Sequence, residues 1–176
     1  MCLTEFFSIL LQQDYFGYFY AKDLERPNQI VCVPTELPAY QEPLFLGWAA
    51  NRIVSCNLDD AYTIPCRIFD NGRWDDLFTY ETEYYYEETP IFQVDQNTLM
   101  FLGFEQIVFL DVPTGETRVA VPDYQPLSGC LVTRVNETHL IFTGGNDDGG
   151  YRQDTTYFYD LASDEMTPGP QLRVAR

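Results

Sequence analysis

Histidine is almost absent from this sequence: His139, at the start of an apolar run, is the only one. Nucleophilic triads and most transition-metal sites set an imidazole beside partner groups. A lone strand histidine points to neither and reads as a surface or satisfied core residue. Basic residues are also scarce, with ten Lys and Arg against 27 Asp and Glu, for a formal net charge of −17. Phosphate backbones and anionic lipid heads are bound by cations, so no nucleic acid and no membrane is expected as a partner, and the excess acid serves solubility. No apolar run approaches the ~20 residues that cross a bilayer; the longest, such as FFSILL at 6–11, are strand-sized. The N-terminus lacks a basic leading region and carries Glu5 before its short apolar run, unlike a signal peptide. If the protein is exported, its signal is expected upstream. The five cysteines, Cys2, Cys32, Cys56, Cys66 and Cys130, contain no CxxC spacing, which excludes the common structural zinc motifs.

What the chain does contain is material for one core of strands. Its 176 residues are 45% hydrophobic and 16% aromatic, and aromatic side chains pack well on a pleated surface. The predicted class is all-β. A hydrophobic strand ending in Asp recurs at Asp23, Asp70, Asp111 and Asp160, at intervals of 47, 41 and 49 residues. Self-similarity at this period marks a repeat architecture. Strands are predicted before each Asp, pairing 51–58 with 63–70 and 98–104 with 106–111. After each Asp a turn leads to a further strand, at 29–33, 71–78 and 117–121, and inner strands are predicted at 44–50, 90–94 and 129–135.

The last third is the most telling. An apolar strand ends in Gly144-Gly145, a polar loop follows, a second strand closes on Tyr159-Asp160, and Met166 stands seven residues beyond the Tyr. This order resembles a kelch repeat, although the family usually has Trp at the Met166 position. Asn57-Leu58 and the single Gly103 stand where further diglycines belong. The resemblance implies a kelch-type β-propeller, here an incomplete arc of about four four-stranded antiparallel blades. As a single unit they divide at 1–36, 37–80, 81–124 and 125–176. Gly144, Gly145, Tyr159, Asp160 and Met166 would be its structural motif, with Asp23, Asp70 and Asp111 closing the earlier repeats. Closed propellers of this kind have about five to seven blades. Missing blades of the same propeller are therefore expected partners, with residues 172–176 beginning another blade.

The implied function is a protein-interaction module that binds another protein through rim loops, with no catalysis of its own. Two alternatives are the propeller domain of a larger enzyme and that of a ubiquitin-ligase substrate adaptor. Candidate contacts are Asn146, Asp147, Asp148, Tyr151 and Arg152 in the loop after the diglycine, and Tyr84, Tyr85 and Tyr86 in the acidic segment 80–90. Tyr is enriched at binding hot spots, while the plain alternative for both segments is a solvated connection. The loop lacks the ligand spacing of a calcium site, and paired acids such as Asp59-Asp60 and Asp75-Asp76 read as hydrated turns. No catalytic residue, metal or cofactor is assigned. Asn136-Glu137-Thr138 matches the N-glycosylation sequon at a predicted turn.

Cys56 and Cys66 lie symmetrically about Ala61, where partners sit across a hairpin. Aligned on the closing Asp, Cys66 corresponds to Ile107 and Thr156, and Cys56 to Leu102 and Thr143, so the two cysteines are replaced together. They are either a disulfide or two small buried apolar side chains. Some kelch proteins that look secreted carry similar cysteines, and the resemblance supports the bridge. A bridge would place the protein outside the cytosol, and an extracellular location is favoured over a cytoplasmic one.

Overall fold

A computed structural model of the chain describes residues 9–13, 19–23, 30–33, 43–57, 63–71, 73–81, 91–103, 106–124, 129–147 and 150–174. Strands β1 (Ile9–Gln13), β2 (Phe19–Asp23) and β3 (Ile30–Val33) form one sheet. A second contains β4 (Pro43–Ala49), β5 (Arg52–Asn57), β6 (Thr63–Asp70) and β7 (Arg73–Glu81). The third contains β8 (Ile91–Gln93), β9 (Thr98–Leu102), β10 (Ile107–Asp111) and β11 (Thr117–Ala120). The fourth contains β12 (Leu131–Arg134), β13 (His139–Thr143), β14 (Thr156–Asp160) and β15 (Met166–Pro168).

Each sheet is an antiparallel meander whose spatial order is its chain order, and no helix occurs among the described residues. The chain is therefore all-β. The first sheet has three described strands against four in each of the others. One expectation needs correction: of residues 172–176, expected to begin another blade, the described 172–174 form no strand. Instead the Leu172 amide donates to the Asp154 carbonyl (2.7 Å) and the Gly169 amide to that of Thr156 (2.7 Å), folding this segment back beside β14. Among the described residues the sheets do not close into a ring.

Burial explains the sequence patterns. β9 and β10 bury four consecutive residues each, LMFL and IVFL, as strands covered on both faces do. β13 alternates buried and half-buried residues. The third sheet is covered on both faces. On one face Leu99, Phe101, Val108 and Leu110 pack with Val54, Cys56, Ile64, Cys66, Ile68 and Tyr80 of the second sheet. On the other, Met100, Leu102, Ile107 and Phe109 pack with Leu140, Phe142, Tyr159 and Met166 of the fourth. Each fully buried side chain of this size contributes about 1.5–3 kcal/mol, so these two interfaces contribute heavily to the stability of the described sheets.

Hydrogen bonds fix the spacing of the sheets at one end. The Ala50 amide donates to the Gln96 carbonyl (2.7 Å). The Gln93 side chain donates to the Trp48 carbonyl (2.7 Å), and Arg134, its counterpart one sheet later, donates to the Val94 carbonyl (2.6 Å). At the other end Gly103 has an ordinary φ but no room for a side chain, because a Cβ there would collide with the buried Tyr80 hydroxyl of the neighbouring sheet.

Gly103→Ala is therefore expected to destabilise the fold by about 1–3 kcal/mol, as overpacking does. Tyr80→Phe in that background should recover part of the loss, and equilibrium urea unfolding of the four proteins of this cycle measures the coupling.

Candidate interaction surface

A meander places alternate turns at opposite ends of the stack, and the two ends differ in chemistry. One carries the β13–β14 loop. β13 leaves the sheet through Gly144 (φ 67°) and Gly145 (φ 102°), left-handed conformations in which a Cβ would be strained. The loop is then bonded within itself. Asn146 bridges to Arg152, the Gln153 amide donates to the Gly145 carbonyl (2.8 Å), and the Gly144 amide donates to that of Thr155 (2.9 Å). Asp147 is the organiser. Its carboxylate accepts from the Tyr151 amide (2.9 Å) and from Gln153 Nε2 (2.6 Å), so this candidate contact residue is occupied in holding the loop. Tyr151 is left 73% exposed on a fixed backbone, with Arg152 exposed beside it. Asp148, Tyr84, Tyr85 and Tyr86 lie outside the described residues.

The opposite end is built from repeated turns. Asp111 Oδ1 accepts from the Thr114 amide (3.0 Å) and hydroxyl (2.6 Å), and Asp160 Oδ1 from the amides of Ala162 (2.7 Å) and Ser163 (3.2 Å). These amides hold the exposed Asp160 carboxyl below the ordinary range, with a smaller effect from His139, whose Nε2 lies 3.5 Å away. Asp70 closes a two-residue turn at Asn71 (φ 49°), and no such bond is seen for it among the described residues. Asp23 ends β2. Between the third and fourth sheets this end opens into a cleft of about 420 Å³, with Asp95, Asp111, Glu116 and Glu137 around Phe109 and Leu161. Among the described residues no group of three or more His, Cys, Asp or Glu is placed to hold a metal ion.

One cluster in that wall has no counterpart in the sequence reading. Arg118 Nη1 meets both oxygens of Asp164 at 2.5 Å, the Tyr159 hydroxyl donates to Asp164 Oδ1 (2.5 Å), and the guanidinium lies 4.2 Å above the Phe109 ring. Arg118 and Phe109 belong to the third sheet and the other two to the fourth, so the cluster joins the sheets. Partial burial pushes the Asp164 carboxyl up, but the bonds from Tyr159 and Arg118 and the guanidinium charge outweigh it and hold it below its usual value. Tyr159, fully buried, is pushed up by burial and by its bond to Asp164, so its phenol stays neutral. Asp164 (φ 59°) occupies the position of Gly115 (φ 73°) in the preceding sheet's turn. The comparison of DVPTGE at 111–116 with DLASDE at 160–165 is the signal that could have found it.

Cys56 and Cys66 face one another in the β5–β6 register and are joined as a disulfide, both buried in the core between the second and third sheets. Their counterparts, Leu102 with Ile107 and Thr143 with Thr156, are likewise opposed pairs. Cys130 is free and buried, and burial pushes its thiol up to about 12. Met166 lies opposite Tyr159 in the second core. Asn136 stands exposed at the β12–β13 turn, and its Oδ1 accepts from the amides of Thr138 and His139 (both 2.9 Å).

A carboxyl whose folded pKa is depressed stabilises fully above its unfolded value, about 3.9, and loses that contribution as pH falls through the folded value. Asp164→Asn, which tolerates the same left-handed backbone, should therefore lower the melting temperature at neutral pH. The gap from the parent should shrink below about pH 4. Thermal unfolding across pH checks this, and a gap that stays constant into acid would assign the loss to something other than the ion pair.

Neither a scan of protein-family models nor a search of curated proteins finds a match to this chain.

Proposed function

We propose that the chain is an arc of a kelch-type β-propeller serving as a protein-interaction module, with its partner recognised at the end that carries the β13–β14 loop. Three consecutive four-stranded meanders stacked face to face in chain order, the last two with matching turn geometry, support the propeller reading. So do left-handed Gly144 and Gly145 after β13 and the buried Tyr159–Met166 pair. The observation that carries the binding reading is Tyr151. A large amphipathic ring, 73% exposed, sits in a loop whose described residues hydrogen-bond to one another. Such bonding lowers the ordering cost of binding, and Tyr is the residue type that hot spots favour.

The acidic composition matches a partner surface with exposed cations better than an anionic one. Between the two alternatives, the Cys56–Cys66 disulfide weighs against a ubiquitin-ligase adaptor, which works in the reducing cytosol where such bonds rarely persist.

The test is site-specific photo-cross-linking in the protein's native extracellular fluid or extract. A photoreactive side chain at Tyr151 should capture a discrete protein, whereas one at the exposed Glu165, on the opposite end, should not. Binding of the captured protein should weaken by roughly tenfold or more in Tyr151→Ala. Adducts from position 165 alone, or unchanged affinity in Tyr151→Ala, would move the binding surface elsewhere.

A further inference from the structure

We propose that Asn136 is an N-glycosylation site and that its glycan stands at the end of the stack opposite Tyr151. Asn136-Glu137-Thr138 is the single Asn-X-Thr/Ser sequence in the chain. All three residues are exposed, at the tip of the β12–β13 turn.

The turn itself does not require an amide side chain. In the preceding sheet the same position is Asp95, whose Oδ1 accepts from the amides of Asn97 (2.8 Å) and Thr98 (2.9 Å), as Asn136 Oδ1 does from those of Thr138 and His139. The backbone closures also match: the Val94 amide donates to the Thr98 carbonyl (2.9 Å) and the Val135 amide to that of His139 (3.0 Å). The fold uses only the oxygen. Asn136 Nδ2 has no partner among the described residues, so the structure leaves free the atom that would carry the sugar.

An independent feature supplies the compartment. The buried Cys56–Cys66 disulfide forms and persists where conditions are oxidising, and the secretory route that provides such conditions is also where Asn-X-Thr acceptors are modified. In that step Nδ2 attacks the anomeric carbon of a lipid-diphosphate-linked oligosaccharide. The new N–C bond replaces the C–O bond to the diphosphate, which leaves with that bond's electron pair, while one amide proton passes to base. Arg134 would keep the modified turn in place, since its guanidinium donates to the carbonyls of Asn136 (2.9 Å), Glu137 (3.0 Å) and Val94 (2.6 Å).

The protein isolated from its native source, treated with peptide N-glycosidase in heavy-oxygen water and digested, decides the matter. Recovery of residue 136 as heavy-oxygen-labelled Asp is the expected result, and full recovery of unmodified Asn136 would overturn the proposal. Variants expressed in cells of that source locate the sugar. Asn136→Asp keeps the turn acceptor, so it should fold and yet lose the glycosidase-sensitive shift in gel mobility entirely, as should Thr138→Ala, while Thr138→Ser should retain it. A shift that persists in Asn136→Asp would overturn the assignment.

Discussion

An antiparallel sheet whose two faces are both apolar has to be covered twice, and the rest of this structure depends on how the chain meets that requirement. The third sheet does so by lying between its neighbours, with Leu99 and Phe101 turned to one core and Met100 and Leu102 to the other. Alternate residues of a single strand thus serve two different interfaces. The short inter-sheet hydrogen bonds of Gln93 and Arg134 fix the separation at which those interfaces can close. The Arg118–Asp164–Tyr159 cluster adds a charged tie at the margin of the second core, with Tyr159 reaching out of the apolar interior to a half-buried carboxylate.

Once the sheets are stacked, their turns are sorted to two ends with different duties. In the third and fourth sheets one end is made of Asp- and Asn-stabilised turns of matching geometry, with an acidic cleft and the Asn136 tip. The other has the variable connections, including the loop that Asp147 folds around Tyr151. A covalent bridge is buried between the second and third sheets, where a hairpin of the same register elsewhere has Leu102 and Ile107. There the disulfide fills apolar space and cross-links a short loop, which stabilises such a hairpin by about 2–4 kcal/mol.

Much of this was legible because it is local. Apolar runs ending in Asp gave β2, β6, β10 and β14 and their spacing, and the hairpin symmetry of Cys56 and Cys66 placed them face to face. The diglycine at 144–145 marked where the strand before it ends. What was not legible joins residues remote in sequence: Arg118 and Asp164 are 46 residues apart and meet only because two sheets stack. Asp147 was a candidate partner contact, and only the folded loop shows its carboxylate satisfied from within. Gly103 looked like half of a missing diglycine, whereas its smallness serves the Tyr80 hydroxyl of another sheet.

Native-state hydrogen exchange tests the stacking most directly, because it can compare strands with equal hydrogen bonding but unequal cover. β9 and β10 are inner strands of the third sheet, as β13 and β14 are of the fourth, and only the first pair is buried by sheets on both faces. The amides of 98–102 and 107–111 should therefore exchange more slowly than those of 139–143 and 156–160. Equal or greater protection of β13 and β14 would contradict the claim that burial of the third sheet between its neighbours holds this structure together.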